Sequence, residues 1–321
     1  MPLQLFAVAR NAFIESIRQH FFVVWLLFVG LLLSLTPWLS GYTFDNDNLL
    51  ANDMSLWMIL LGGSILAAFT AAGVVHREIE NKTVLTVVSK PIARPVFIVG
   101  KYVGVAAALT LAMVFWSLVL LMWVRHGVLS AATLKPDGPV WVFGSAALLA
   151  AAVIASAGNY FFKRHFGSMM STWGTGLLAL AYLLVLLVGK TWELQSPLTD
   201  LPVQILAAMV GLMLAVWLFA AVAVASSTRL GTVPTLVVCL VVYFAGFLSD
   251  STLGRWAGDS GTAEAFYRVV PNLKFLHLGD ALLQEHNITG GYLGLVTLYT
   301  ACLVAACLAL AVAMFQTRQA G

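Results

Sequence analysis

The chain has 321 residues, of which 61% are hydrophobic and 10% are charged, and its formal net charge is +3. Ordinary soluble domains are roughly a quarter charged, so this composition excludes a soluble globular protein. The small positive excess does not indicate a nucleic-acid-binding protein either, because no basic patch is interleaved with aromatic residues.

The first 20 residues are mixed in character and precede the first long apolar run. Leu5 and Phe13 lie on one side of a helix over this segment, whereas Arg10 and Arg18 lie largely on the other. This pattern predicts an interfacial amphipathic helix over 1–20, with its basic side toward anionic lipid headgroups. The alternative is that the segment only begins the first span. A cleaved signal peptide is not expected, because a full-length span follows.

Runs of about 20 apolar residues, which suffice for an α-helix to cross the ~30 Å hydrocarbon core, recur along the rest of the chain. None of them contains Asp, Glu, Lys or Arg. The runs are 21–40, 55–75, 102–124, 140–162, 167–189, 203–226, 231–248 and 291–315. The sequence therefore predicts an all-α polytopic membrane protein with a single transmembrane domain over 21–321. The run 231–248 is near the minimum length for a span, and a re-entrant segment is the alternative for it.

The basic residues of the connecting segments predict the orientation. If the spans alternate from a cytoplasmic N-terminus, 11 Lys and Arg residues fall on the inner side and 6 on the outer side. This is the bias that the positive-inside rule requires. We therefore expect a multi-pass protein of the cell inner (plasma) membrane with both termini in the cytoplasm.

A polar segment over 77–101 separates the second apolar run from the third and holds 7 of the 31 charged residues. The stretch from Arg77 to Ser89 predicts a short helix. Pro91 is expected to end that helix, and Pro95 can begin the next, since its missing N–H costs little there. The prediction is a stiff cytoplasmic element rather than a flexible loop.

In this segment the sequence resembles the ABC-2 type permeases, the membrane subunits of one class of ATP-binding-cassette transporters. These proteins carry a pattern like R-E-x-E-x-G-T, then S-x-P-hydrophobic-x-R, then G-K. The matching residues are Arg77, Glu78, Glu80, Thr83, Ser89, Pro91, Ile92, Arg94, Gly100 and Lys101. Lys82 departs from the pattern, because many members have Gly there. Within the family, the chain looks closest to permeases that work with a separate ATPase chain.

The resemblance implies a function and partners. The segment 77–101 would be the coupling helix that docks on a cytoplasmic ABC ATPase. ATP and Mg²⁺ would then bind the partner ATPase, and this chain would be a transport subunit rather than an enzyme, with no cofactor or metal of its own. A second permease copy or a homologue would complete a dimer within membrane lipid. Family members usually have six helices, so six to eight are expected here, and the hairpin over 140–189 is the suspected insertion.

The segment 249–290 is the largest predicted outer loop. Its aromatic and basic residues near 266–276 are typical of an interfacial belt. The resemblance instead implies an outer gate around Pro271 and Asn272. Both readings stay open on the sequence alone.

Two other functions remain as alternatives. An ion-gradient-driven carrier usually has ionisable residues within its spans, and their absence here counts against that class. A non-transporting membrane assembly protein is the second alternative. The chain offers no nucleotide site of its own, because Gly189-Lys190-Thr191 imitates the end of a P-loop but Leu184 stands where the first Gly is required.

Overall fold

The apolar runs of the sequence form long helices in the computed structural model. It describes residues 2–39, 47–80, 93–128, 136–197, 201–249, 270–284 and 286–316 and the single positions 251, 255, 261 and 264; for 39 and 76–80 it describes the backbone only. The helices of these residues are α1 (Pro2–Arg18), α2 (His20–Leu39), α3 (Asp47–Glu80), α4 (Arg94–His126), α5 (Gly138–Phe162), α6 (Phe166–Leu187), α7 (Val203–Ser227), α8 (Thr232–Leu248), α9 (Gly279–Leu283) and α10 (Gly290–Gln316).

Seven helices in the described part of the chain are long and apolar enough to cross a membrane: α2 to α7 and α10. The all-α polytopic fold predicted from the sequence is confirmed. The eighth predicted run forms α8, which has 17 residues. At 1.5 Å per residue it is about 26 Å long, slightly less than the ~30 Å hydrocarbon core.

The position of α8 favours a crossing over a re-entrant segment. Thr232, where α8 begins, lines the same cavity as Gly73 of α3. Near the other end of α8, the Phe247 ring lies 4.7 Å from the ring of Trp57, centroid to centroid. Helix α8 therefore runs beside α3 over the whole stretch between Gly73 and Trp57, which is about 24 Å.

The helices α3, α4 and α7 form the centre of the fold. Small residues of α3 allow the close approach, since a Cβ added to Gly63 would lie 2.4 Å from Cγ2 of Val216 in α7. Helix α2 packs on α3 and α4, the α5–α6 hairpin joins α4 through α6, and α10 packs on α7. Helices α5 and α10 leave most of their surface uncovered, so those faces are free to meet lipid or another chain.

Contacts between connecting segments define two ends of the molecule. Arg94 donates from Nη1 to the carbonyl of Gln316 at 2.9 Å, and Arg229 donates from Nη2 to the carbonyl of Met314 at 2.8 Å. The start of α4, the α7–α8 turn and the end of α10 therefore meet at one end, which we call the inner end. The α5–α6 turn belongs there too, because the His165 ring lies 5.6 Å from that of His20.

The remaining connections meet at the opposite end, called the outer end. The backbone N–H of Val128 donates to Oδ1 of Asn48 at 2.7 Å, joining the end of α4 to the start of α3. The N–H of Ile288 donates to Oε1 of Gln204 at 2.8 Å. This alternation of ends is the one predicted from the basic residues of the loops.

The prediction of a separate short helix beginning at Arg77 is wrong for its first residues. Helix α3 continues without interruption from its apolar part through Glu80. The physical reason is local, since no Gly or Pro lies between Val75 and Glu80 to stop the helix. The rest of the predicted helix lies in 81–92, outside the described residues.

Candidate functional site at the inner end

The residues predicted to couple to an ATPase fall into three groups. Arg77, Glu78 and Glu80 lie at the C-terminal end of α3, where the backbone is described. Thr83, Ser89 and Pro91 lie outside the described residues. Arg94 and Lys101 belong to the first two turns of α4, with Pro95 in its first turn, as predicted.

Arg94 fastens the start of α4 to the end of α10. Its guanidinium is exposed and donates to the last described carbonyl of α10, that of Gln316. A cation at a helix C-terminus also interacts favourably with the helix dipole. One turn further along, the rings of Phe97 and Phe315 stack at 5.7 Å. A polar and an apolar contact thus hold the same two helix ends together.

Lys101 is not at the surface. Its exposed fraction is 1%, and its Nζ lies 3.2 Å from Oε2 of Glu15 and 5.8 Å from the centre of the Phe97 ring. A lysine buried to this degree cannot lie on a docking surface for a soluble protein. Instead, the Lys101–Glu15 ion pair joins α4 to α1.

Two glycines of α4 bring the backbone of α1 unusually close. A Cβ on Gly104 would lie 2.3 Å from the carbonyl oxygen of Ala9, and one on Gly100 would lie 2.7 Å from Cγ1 of Val8. Only glycine fits at position 104, because the facing atom belongs to the backbone, whereas Val8 would have to shift to admit a Cβ at position 100. The predicted amphipathic segment is therefore a helix of its own, distinct from α2 and packed along the start of α4.

These contacts pack the start of α4 with α1 and the end of α10 into one unit. Close-packed helices shift together rather than deform independently, because interiors are as dense as organic crystals. A displacement applied to the segment before Arg94 would therefore reach α1 through Gly104 and Lys101, and α10 through Arg94 and Phe97.

A cavity of about 750 Å³ opens beside this unit, and none of the sequence patterns described above predicts it. Its walls come from α1, the start of α2, the inner part of α3 and the first residue of α8. The lining residues are Asn11, Ile14, Glu15, Arg18, Gln19, His20, Phe21, Phe69, Gly73 and Thr232. Asn11, Glu15 and Arg18 share one face of α1, and their spacing was the signal in the sequence for a polar wall. The apolar wall comes from residues that are distant from α1 in the sequence.

The predicted gate residues lie in a packed segment at the outer end, which we call the outer plug and define as residues 271–279. Leu273 and Leu276 are fully buried there. Oδ1 of Asn272 accepts a hydrogen bond from the backbone N–H of Lys274 at 3.0 Å, and the backbone N–H of Asn272 donates to the hydroxyl of Tyr299 at 2.9 Å. The carbonyl of Pro271 faces Gly246 of α8.

His277 is the unusual residue of the outer plug. It is 4% exposed and stacks on Trp57 of α3 at 3.9 Å. Burial lowers the pKa of His277 to about 4, although the nearby Asp280 carboxylate acts in the opposite direction. Gly279 packs against both His277 and the Asp53 side chain. Within the described residues, His277 Nε2 and Asp53 Oδ1 have no hydrogen-bond partner.

Comparison with protein-family models and with curated proteins finds no match for this chain. The structure shows a multi-pass membrane protein with seven candidate spans among the residues that it describes.

Proposed function

We propose that this chain is the permease subunit of an ABC transporter, and that a separate cytoplasmic ATPase drives it. ATP and Mg²⁺ would bind the ATPase, and closure of its subunits would push on the segment 77–101. Movement of the attached helices would then carry a substrate across or out of the membrane.

The observation that carries the proposal is the packed unit formed by α1, the start of α4 and the end of α10. A coupling segment is useful only if it continues into a helix that moves others with it. The segment 77–101 continues directly into the apolar part of α4, which begins at Tyr102. Lys101 and Gly104 fix this helix to α1. A flexible attachment at this point would have counted against the proposal.

A dimer is part of the proposal, because ABC ATPases close in pairs and each would push one permease copy. Helices α5 and α10 have the least buried surface among the seven candidate spans. In this proposal the inner end faces the cytoplasm of the cell that makes the protein, and the membrane is the plasma membrane.

The test is co-purification of the tagged chain from native membranes in mild detergent. We expect a P-loop ATPase in stoichiometric amount with the wild-type chain. Replacing Glu78 and Glu80 together by Lys should reduce the ATPase yield at least tenfold, because it reverses the charge of the predicted docking residues. Insertion into the membrane should be unchanged.

The control is Glu193→Lys, which reverses an exposed carboxylate at the outer end. This variant should retain the ATPase fully. Recovery of the wild-type chain without any ATPase in several detergents would overturn the proposed function. Equal ATPase yields from the wild-type chain and the double variant would overturn the assignment of the interface.

A further inference from the structure

The inner cavity combines a polar wall with an apolar one. Asn11 and Arg18 of α1 supply exposed polar groups, whereas Phe21 and Phe69 supply partly exposed aromatic rings that stack on each other at 4.1 Å. Gln19 is held in place, because its Nε2 donates to the carbonyl of Thr70 at 3.3 Å. A ligand of this cavity must itself be part polar and part apolar.

The charges of the cavity favour an anion. Glu15 lines it, but the buried ammonium of Lys101 lies 3.2 Å from its carboxylate and balances that charge. Among the described lining residues, Arg18 then leaves an excess of positive charge. In the described part of the chain, no carboxylate or carbonyl pairs with the Arg18 guanidinium. Guanidinium groups bind phosphate well, because their planar N–H donors match its oxygens.

An apolar stripe leads from the cavity along α3. Its residues recur at intervals of three and four, so they share one face of the helix, and each is at least partly exposed although most of α3 is buried. The stripe consists of Met54, Met58, Leu61, Ile65 and Phe69. It is about 22 Å long at 1.5 Å per residue.

Helices α2 and α8 border this stripe on its two sides. Trp25 of α2 donates from Nε1 to the carbonyl of Gly62 at 2.9 Å on one side, and Phe247 of α8 contacts Trp57 on the other. The stripe therefore lies between α2 and α8 and reaches the inner cavity at Phe69; we call the space over it the cleft. One leaflet of a bilayer is about 15 Å deep, so an acyl chain of the inner leaflet fits along the stripe.

We propose that the cavity and the cleft bind one anionic phospholipid. The phosphate lies at Arg18 with Asn11 as a further hydrogen-bonding group, and one acyl chain follows the stripe from Phe69 toward Leu61. The site is at the level where the headgroups of the inner leaflet lie if the inner end faces the cytoplasm. It requires no ATPase and is independent of the proposed transport function.

Binding to the purified chain in detergent tests this site. Native mass spectrometry would follow titrations with phosphatidylglycerol and with phosphatidylcholine of the same acyl chains. We expect phosphatidylglycerol to bind more tightly, and Arg18→Gln to weaken it about fivefold or more, because one basic group near a headgroup contributes about 1 kcal/mol. Arg18→Lys should restore most of the affinity.

Arg10→Gln is the matched control, since Arg10 is exposed on the same helix but does not line the cavity. It should keep wild-type affinity, and equal losses for Arg10→Gln and Arg18→Gln would overturn the site in favour of general attraction to anionic lipid. Ile65→Trp, which narrows the cleft without a change in charge, should also weaken binding. If inorganic phosphate displaced phosphatidylglycerol as effectively as added lipid does, the stripe would have no role in binding. A dimer that forms through α3 and excludes lipid would also overturn the role of the stripe.

Discussion

The buried ion pair between Lys101 and Glu15 shows how a charged residue is tolerated beside an apolar core. The side chain of Lys101 is 2% exposed and that of Glu15 is 32% exposed, so the carboxylate still reaches the cavity while the ammonium does not. Removing one partner of a buried pair takes a stabilising charge away from a group that stays desolvated, which costs more than removing both.

Glu15→Gln should therefore lower the free energy of unfolding by about 1–3 kcal/mol, since Lys101 loses its carboxylate neighbour while staying buried. The double variant Glu15→Gln with Lys101→Met should recover part of this loss. Thermal melting in detergent measures both. Glu193→Gln, at an exposed carboxylate, is the control, and an equal effect of Glu15→Gln and Glu193→Gln would contradict the role of the pair.

His277 makes the outer plug sensitive to pH. In the packed plug its pKa is about 4, whereas a solvated His titrates near 6.5, so the packed plug binds fewer protons than an opened one. The stability of the packed plug is complete above about pH 6.5 and falls as the pH decreases toward 4. Among the described residues, the charged groups near His277 are Asp280, Asp53 and Lys274, and the Asp280 carboxylate reduces the size of this effect.

Amides of the outer plug exchange when the plug opens. After correction for the intrinsic rate, we expect this exchange to be on the order of tenfold faster at pH 5 than at pH 7.5. His277→Gln cannot be protonated and should remove this difference. Exchange of α7 in the same samples is the internal reference. A wild-type plug with the same corrected exchange at both pH values would refute the prediction.

At the scale of elements, the packing of α1 on α4 depends on two glycines. Gly104 faces backbone atoms of α1, and backbone cannot move away as the tip of a flexible side chain can. The same approach fixes the amphipathic helix at the inner end. The contact is therefore sensitive to a single methyl group.

Gly104→Ala should lower the free energy of unfolding by about 1–3 kcal/mol, because the new Cβ overlaps the Ala9 carbonyl oxygen. It should also make α1 more accessible to protease. Gly294→Ala is the matched control, since that glycine is also helical and a Cβ there meets no atom within 4 Å. A Gly104 variant as stable as the Gly294 variant would show that α1 is only loosely attached.

Sequence patterns predicted the bounds of the helices well, but they did not predict the contacts between helices. The predicted span 140–162 starts two residues after α5 and ends with it, and 203–226 starts with α7 and ends one residue before it, because hydropathy is a local property. The Lys101–Glu15 pair joins positions that are 86 residues apart, and no local period encodes such a contact. For the same reason Lys101 was expected on the docking surface, and the inner cavity was missed.

At the scale of the whole molecule, the distribution of basic residues and the packing of the helices agree on which connecting segments lie at the same end. Arg94 and Arg229 both bind the end of α10, so the turn between α7 and α8 lies at the same end as the start of α4. Lys274 lies in the outer plug beyond α8. If α8 crosses the membrane, Arg229 and Lys274 face opposite compartments.

Cysteine labelling measures this directly. If the inner end faces the cytoplasm, as proposed above, a cysteine at Lys274 should react with an impermeant maleimide added outside intact cells, in a background with Cys239, Cys302 and Cys307 replaced by Ala. A cysteine at Arg229 should react only after the membrane is opened, because about 24 Å of α8 beside α3 separates the two levels.

Lys190→Cys supplies the reference for the outer side, because the bond from Arg125 to the Val188 carbonyl places that turn at the end of α4. It should label like Lys274→Cys. Labelling of Lys274→Cys and Arg229→Cys from the same side would instead make α8 re-entrant. Seven crossings would then place the two termini on opposite sides, and the contact of Arg94 with Gln316 would have to form across the membrane, which its length of 2.9 Å forbids.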